Sequence, residues 1–91
     1  FLAAVPPPAG SDVDLLARYT DARDPAAFAE LVRRYGPLVL AACRRQAGPG
    51  PDADDAFQAT FLALARSAPR LRQATALPAW LHRVAVRVGR K

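Results

Sequence analysis

A chain of 91 residues supports one domain around one core, because a chain of this size buries only about 60–65% of the surface its unfolded form exposes. Hydrophobic residues make up 52% of it, too many for a disordered chain, but alanine supplies much of that share, so helices should pack closely around a few anchors, Phe28, Tyr35, Phe57, Phe61, Trp80 and the nearby Leu and Val residues. The formal charge of +5 is modest, and the lone Cys43 and lone His82 exclude an intrachain disulfide and the usual four-ligand zinc site, so no cofactor is expected and a reducing, cytoplasmic setting is the default.

Phe1-Leu2-Ala3-Ala4-Val5 is apolar but too short for a signal peptide or a membrane span. Pro6-Pro7-Pro8-Ala9-Gly10 follows, so residues 1–10 read as a flexible proline-rich lead to a domain at 11–91. The absence of an initial Met reads as trimming from a longer protein.

Ser11 is the expected N-cap of a first helix over Asp12–Thr20, with Leu15, Leu16 and Tyr19 on its apolar face. Asp24-Pro25 reads as cap and first position of a long second helix ending near Gln46, with Phe28, Leu31, Val32, Tyr35, Val39, Ala42 and Cys43 at helical spacing. Gly36-Pro37 interrupts that pattern and predicts a kink or break near Arg33–Gly36. Cys43 reads as a buried filler.

Gly48-Pro49-Gly50-Pro51 separates the next helix, expected to be capped by Asp52 and to run to Ser67 before a loop over Pro69–Thr75. Thr75 is the expected cap of a last helix that tolerates Pro78 in its first turn and continues to about Val88. No segment alternates with period two, so the fold class is all-α, a bundle of about four helices with no sheet.

Charge divides these last two helices. Residues 52–65 hold Asp52, Asp54 and Asp55 and no base, whereas residues 66–91 hold seven bases and no acid. Such asymmetry suggests two partners, one met by carboxylates and one rich in phosphate; the bland alternative is a solvated helix end favoured by its dipole. Helical phasing places Ala53, Phe57, Phe61, Leu64 and Ala68 on a core side and Asp55, Gln58, Ala59, Leu62 and Arg66 opposite, a composition suited either to docking another helix or to plain solvation. In the last helix Leu77, Leu81, Val84, Ala85 and Val88 should face inward and Arg83, Val86 and Arg90 outward. Trp80 and Arg87 share a flank, where the indole serves core packing, stacking on unpaired bases, or both. No nucleophile–base pair or glycine-rich phosphate loop is present, so enzymatic chemistry is not expected, and Asp52, Asp54 and Asp55 are explained by the helix N-terminus they occupy.

Three segments together carry a specific resemblance. Asp24-Pro25-Ala26-Ala27-Phe28-Ala29-Glu30-Leu31-Val32-Arg33-Arg34-Tyr35, Asp52-Ala53-Asp54-Asp55-Ala56-Phe57-Gln58-Ala59-Thr60-Phe61-Leu62 and Trp80-Leu81-His82-Arg83-Val84-Ala85 resemble, in order and spacing, region 2 of the bacterial sigma-70 family in its extracytoplasmic-function (ECF) branch. The second segment looks like the family's D-A-E-D-x-x-Q-E-x-F motif and the third like its W-L-x-x-I-A motif. The resemblance implies a bacterial, cytoplasmic transcription-initiation domain with no enzymatic activity. It assigns Asp54, Asp55, Gln58 and Leu62 to the β′ clamp helices of the RNA polymerase core. Arg70, Arg72, Gln73, Trp80, Arg83 and Arg87 fall to promoter DNA, on the melted non-template strand of the −10 element, where a base is flipped out of the stack. An anti-sigma factor is a further candidate partner; no membrane is.

Ala59 stands where the motif has Glu, Val86-Arg87 where many members have Arg-Asn, and Pro69–Leu77 lacks the aromatic residue often found before the tryptophan. The second DNA-binding domain of the family, region 4, is not expected within this chain. The rival reading is a sigma-like helical adaptor that binds protein without reading DNA.

Overall fold

A computed structural model describes residues 10–71 and 76–90, and the described chain forms four helices without a strand: α1 Asp12–Ala22, α2 Pro25–Ala47, α3 Pro51–Leu71 and α4 Leu77–Gly89. Arg72 and Gln73, expected at the DNA, and Thr75, expected to cap the last helix, lie outside the described residues. Helices α2 and α3 form a central pair that touches every other helix, while α1 and α4 flank it.

Local chemistry starts the first two helices where the sequence predicts. Ser11 Oγ accepts from Asp14 N at 3.1 Å and Ser11 N donates to Asp14 Oδ2 at 3.2 Å, a reciprocal cap that satisfies two donors at the α1 start. Asp24 Oδ1 accepts from Ala26 N at 3.0 Å, with Pro25 opening α2 where a missing N–H costs nothing. Between them Arg23 takes the left-handed conformation (φ 51°, ψ 41°), and its N–H caps the α1 end on the Tyr19 carbonyl at 3.0 Å.

Prolines are tolerated better than expected. Helix α2 runs through Gly36-Pro37 as one element, and α3 runs through Pro69 to Leu71 instead of stopping at Ser67. Both rings are exposed, while flanking Val39, Ala68 and Leu71 are buried, so packing holds each helix across the hydrogen bond that its proline removes. Asp52 lies in the first turn of α3 rather than capping it; the Gly50 carbonyl accepts from Ala53 N and Asp54 N at 3.1 and 3.3 Å. At α4 the N-cap position belongs to Ala76, which makes no side-chain cap bond.

The deep core is aliphatic. Leu15, Leu16, Leu31, Val39, Cys43, Leu64, Leu77 and Leu81 are fully buried, and Ala27, Ala42, Ala53, Ala68 and Ala85 let the helix axes approach. Of the expected aromatic anchors only Phe61 is buried; Phe28, Tyr35, Phe57 and Trp80 pack half-buried against the core. Val88, expected inside, is 36% exposed, and Gly89 is buried in its place. Burial pushes the Cys43 thiol up, as suits an inert filler.

A charged cluster fastens α1 to α2. Glu30 is only 4% exposed and accepts from Arg33 Nε at 2.8 Å, Arg33 Nη2 at 2.6 Å and Arg34 Nε at 2.7 Å. Arg34 continues to the Gly10 carbonyl at 2.7 Å, and the Tyr35 hydroxyl donates to Asp12. Among the described residues no helix is long and apolar enough to cross a membrane.

Candidate functional site

On α3 the inward side carries Ala53, Ala56, Thr60, Phe61, Leu64, Ser67, Ala68 and Leu71; the Thr60 hydroxyl is satisfied by the Ala56 carbonyl at 2.8 Å. This leaves Asp54, Asp55, Gln58, Leu62 and Arg66 exposed on the other side. Leu62 stands out at 56% exposure, since an outward leucine that far into water gains nothing from the fold itself. Asp52 and Asp54 complement the positive end of the helix dipole.

The four α3 residues that the resemblance singles out therefore share one side, and the fold adds neighbours to them. Gln58 and Leu62 rim an apolar groove of about 490 Å³ floored by Tyr19, Phe28, Val32, Phe57 and Phe61. Its rings interlock: Tyr19 and Phe28 at 4.8 Å between centroids, Phe57 and Phe61 at 5.0 Å, with Phe28 edge-on to Phe61 at 6.5 Å. Asp54 and Gln58 border a shallower depression with Leu40 and Phe57. Tyr19, Phe28 and Val32 carry the helical spacing of interior residues, and Leu40 falls outside that spacing. The available signal was an excess of large aromatics over what so small an interior can enclose.

Helix α4 turns Leu77, Leu81, Val84 and Ala85 inward. Its outward side forms a groove of about 370 Å³ lined by His82, Arg83, Val86, Arg87 and Arg90, with no carboxylate in the lining. Three arginines along one groove can hold the successive phosphates of a nucleic-acid strand. Arg83 and Arg87 were candidates from sequence; His82 and Arg90 join them through the i, i+1, i+4, i+5, i+8 stripe. Trp80 does not line this groove but lies half-buried against the core. Arg70, at the exposed end of α3, donates from Nη2 to Ser67 Oγ at 3.1 Å, away from the α4 stripe in sequence and not part of its lining.

The family model for sigma-70 region 2 matches residues 31–90, which takes in most of α2 and all of α3 and α4. The chain belongs to the sigma-70 region 2 family. This region 2 domain is 38% identical over 76 residues to ECF RNA polymerase sigma factor SigM of Mycobacterium tuberculosis H37Rv, across 84% of the present chain and 38% of the relative. It is 37% identical over the same length to the protein of that name in the Erdman strain. These relatives support the ECF branch for the region 2 domain, which spans 38% of their length. No solved structure gives a significant match.

Proposed function

We propose that this domain is the part of an ECF sigma factor that joins the RNA polymerase core to promoter DNA during transcription initiation, acting by binding and not as an enzyme. Asp54, Asp55, Gln58 and Leu62, with the aromatic groove beside them, dock on the β′ clamp helices. Trp80, Arg83 and Arg87, together with Arg70, Arg72 and Gln73, engage and hold the melted non-template strand of the −10 element in the bacterial cytoplasm. An anti-sigma factor that covers either surface is a further partner in this reading.

The observation that carries the proposal is the separation of two unlike surfaces. The α3 face is acidic with an apolar groove and an exposed leucine, the α4 face is basic without an acid, and their linings share no residue. A two-sided adaptor needs such independence, because each partner must be held while the other is in place.

The test is a pair of binding measurements on the 91-residue chain. Asp55→Ala and Leu62→Ala should weaken binding to a β′ clamp-helix fragment and leave binding to a single-stranded −10 oligonucleotide intact; Arg83→Ala and Trp80→Ala should do the reverse. One observation favours the rival adaptor that does not read DNA: Trp80 packs against the core instead of standing free to stack. In that case Arg83→Glu with Arg87→Glu leaves every interaction of the chain unchanged.

A further inference from the structure

Beside the aromatic groove lies a second cleft, of about 370 Å³, between the end of α1 and the latter half of α3. Thr20 and Arg23 line it from one side and Ala65, Arg66 and Pro69 from the other, with Tyr19 and Leu62 at the junction with the groove. No carboxylate lines it, so two arginines border one space without a counter-charge in the wall.

Two details point to a ligand. Thr20 Oγ1 is buried and has no hydrogen-bond partner, although a helical threonine ordinarily satisfies itself on the carbonyl four residues back, as Thr60 does here. A buried hydroxyl left open is costly unless something that accepts its proton enters the site. Arg23 occupies the left-handed helix end that glycine normally takes, and its guanidinium lies over the Tyr19 ring at 5.9 Å from the centroid. That position puts a cation at the cleft at the cost of backbone strain.

We propose that this cleft receives an aspartate or glutamate side chain of the same helical partner that covers Leu62. The inference rests on the docking reading above and deepens it. Because the cleft and the aromatic groove share Tyr19, Leu62 and Ala65, a helix laid over Leu62 passes its mouth. Along α3 the docking face then changes sign: carboxylates at Asp54 and Asp55, apolar at Leu62, cationic at Arg66. At the helical rise, Asp55 precedes Leu62 by about 10 Å and Arg66 follows it by about 6 Å. The matching partner helix carries a base and an acid about 16 Å apart, or roughly three turns, with an apolar residue between them. The sign change fixes which way that helix points, which an all-acidic face would not. A nucleic-acid phosphate is the other anion such a cleft could take, but the basic groove of α4 shares no residue with it.

The experiment uses two lactam-stapled helical peptides: one with a central leucine, a lysine pair at one end and a glutamate pair three turns away, and its twin with the charged ends exchanged and the leucine kept. At low salt the 91-residue chain should bind the first, in the orientation that α3 dictates, about tenfold or more tightly than the second wherever helix direction is fixed by a single terminal tether to the chain. Arg23→Ala with Arg66→Ala should erase that preference, and Thr20→Val should reduce it, with circular dichroism confirming that each variant is folded. Equal binding of both peptides by the wild type when each is held by the same terminal tether, or a preference that survives the double arginine variant, overturns the proposal. So does a loss of oligonucleotide binding in the double variant equal to its loss of peptide binding, which assigns the cleft to phosphate. A β′ clamp-helix fragment run alongside separates the two readings. If Asp55→Ala weakens its binding and the arginine variants do not, docking stands and the cleft assignment fails; if the fragment does not bind the wild type while the peptide preference holds, the cleft stands and the clamp fails as its partner.

Discussion

Gly89 of α4 rests on Gln46 of α2 so closely that a Cβ built on the glycine would lie 2.9 Å from the Gln46 Cβ and 3.7 Å from the Cys43 Cα. The contact holds the end of the arginine-bearing helix against the longest helix of the bundle. Replacing a helical glycine by alanine ordinarily gains about 1 kcal/mol of helix propensity. Overpacking a closed contact costs about 1–3 kcal/mol, and a Cβ has no flexible end to swing away, so the cost wins. Gly89→Ala should lower the urea midpoint, and Gly89→Val should lower it further. A raised midpoint for Gly89→Ala would show that the α4 end is not held by this contact.

Arg23 offers a substitution with the opposite sign. An L-residue in the left-handed conformation costs about 1–2 kcal/mol that glycine avoids. The ring contact with Tyr19, at 5.9 Å and open to water, returns about 0.5–1 kcal/mol at most. Arg23→Gly should therefore stabilise the domain slightly, by roughly 0.5–1 kcal/mol in thermal or urea unfolding. A loss of stability would mean that the guanidinium contributes more to the fold than its ring contact.

Much of this fold is legible because its signals are local. Ser11 with Asp14, and Asp24 with Pro25, define helix starts by contacts within three residues, and the phase of α3 separates Asp55, Gln58 and Leu62 from Phe61 and Leu64 without knowledge of the rest of the chain. Pro69 is misleading for the same reason. Its penalty is local, about 3 kcal/mol, whereas the burial that offsets it comes from Ala68 and Leu71 meeting other helices, at about 1.5–3 kcal/mol for a leucine alone. Val88, expected inside, turns outward because the Gln46 side chain and the Cys43 backbone approach Gly89, and this contact, not α4's own periodicity, decides which residue is covered. The cleft that holds Thr20, Arg23 and Arg66 has no sequence signature, since its two walls come from helices separated by the whole of α2.

The Glu30 cluster predicts how stability depends on pH. Hydrogen bonds from Arg33 and then Arg34 hold the Glu30 carboxyl down, from its ordinary 4.5 to about 2. A carboxyl that is more acidic in the folded state contributes stability that is present above its ordinary value and lost as pH falls through 4.5 towards 2. The neutral amide of Glu30→Gln cannot supply it. The urea-midpoint gap between wild type and Glu30→Gln should be constant above about pH 5 and close as pH falls further. At the other end, burial first and the bond to Asp12 second raise the Tyr35 hydroxyl from 10.0 to about 12. Its contribution is complete below pH 10.0 and is lost as pH rises towards 12, a limb that Tyr35→Phe should remove. A gap for Glu30→Gln that persists unchanged to pH 2 would mean that the cluster acts through packing alone.

Salt dependence separates the roles of Trp80 and the arginine stripe on α4. Each arginine that neutralises a phosphate of a single strand releases condensed counterions, so log affinity falls against log salt with a slope of about −0.7 per contact. Arg83, Arg87 and Arg90 line one groove, which predicts three such contacts acting together. Arg83→Ala and Arg87→Ala should each weaken binding to a −10 oligonucleotide and flatten that slope by about 0.7, whatever the base sequence. Trp80→Phe should leave the slope alone, because an aromatic ring exchanges no counterion. It should instead reduce affinity by a similar factor at every salt concentration, to the extent that the half-buried indole stacks on a base. The phenylalanine keeps an aromatic ring against the core, so a folded variant with unchanged affinity at all salts would place Trp80 wholly in the packing and leave DNA binding to the arginines.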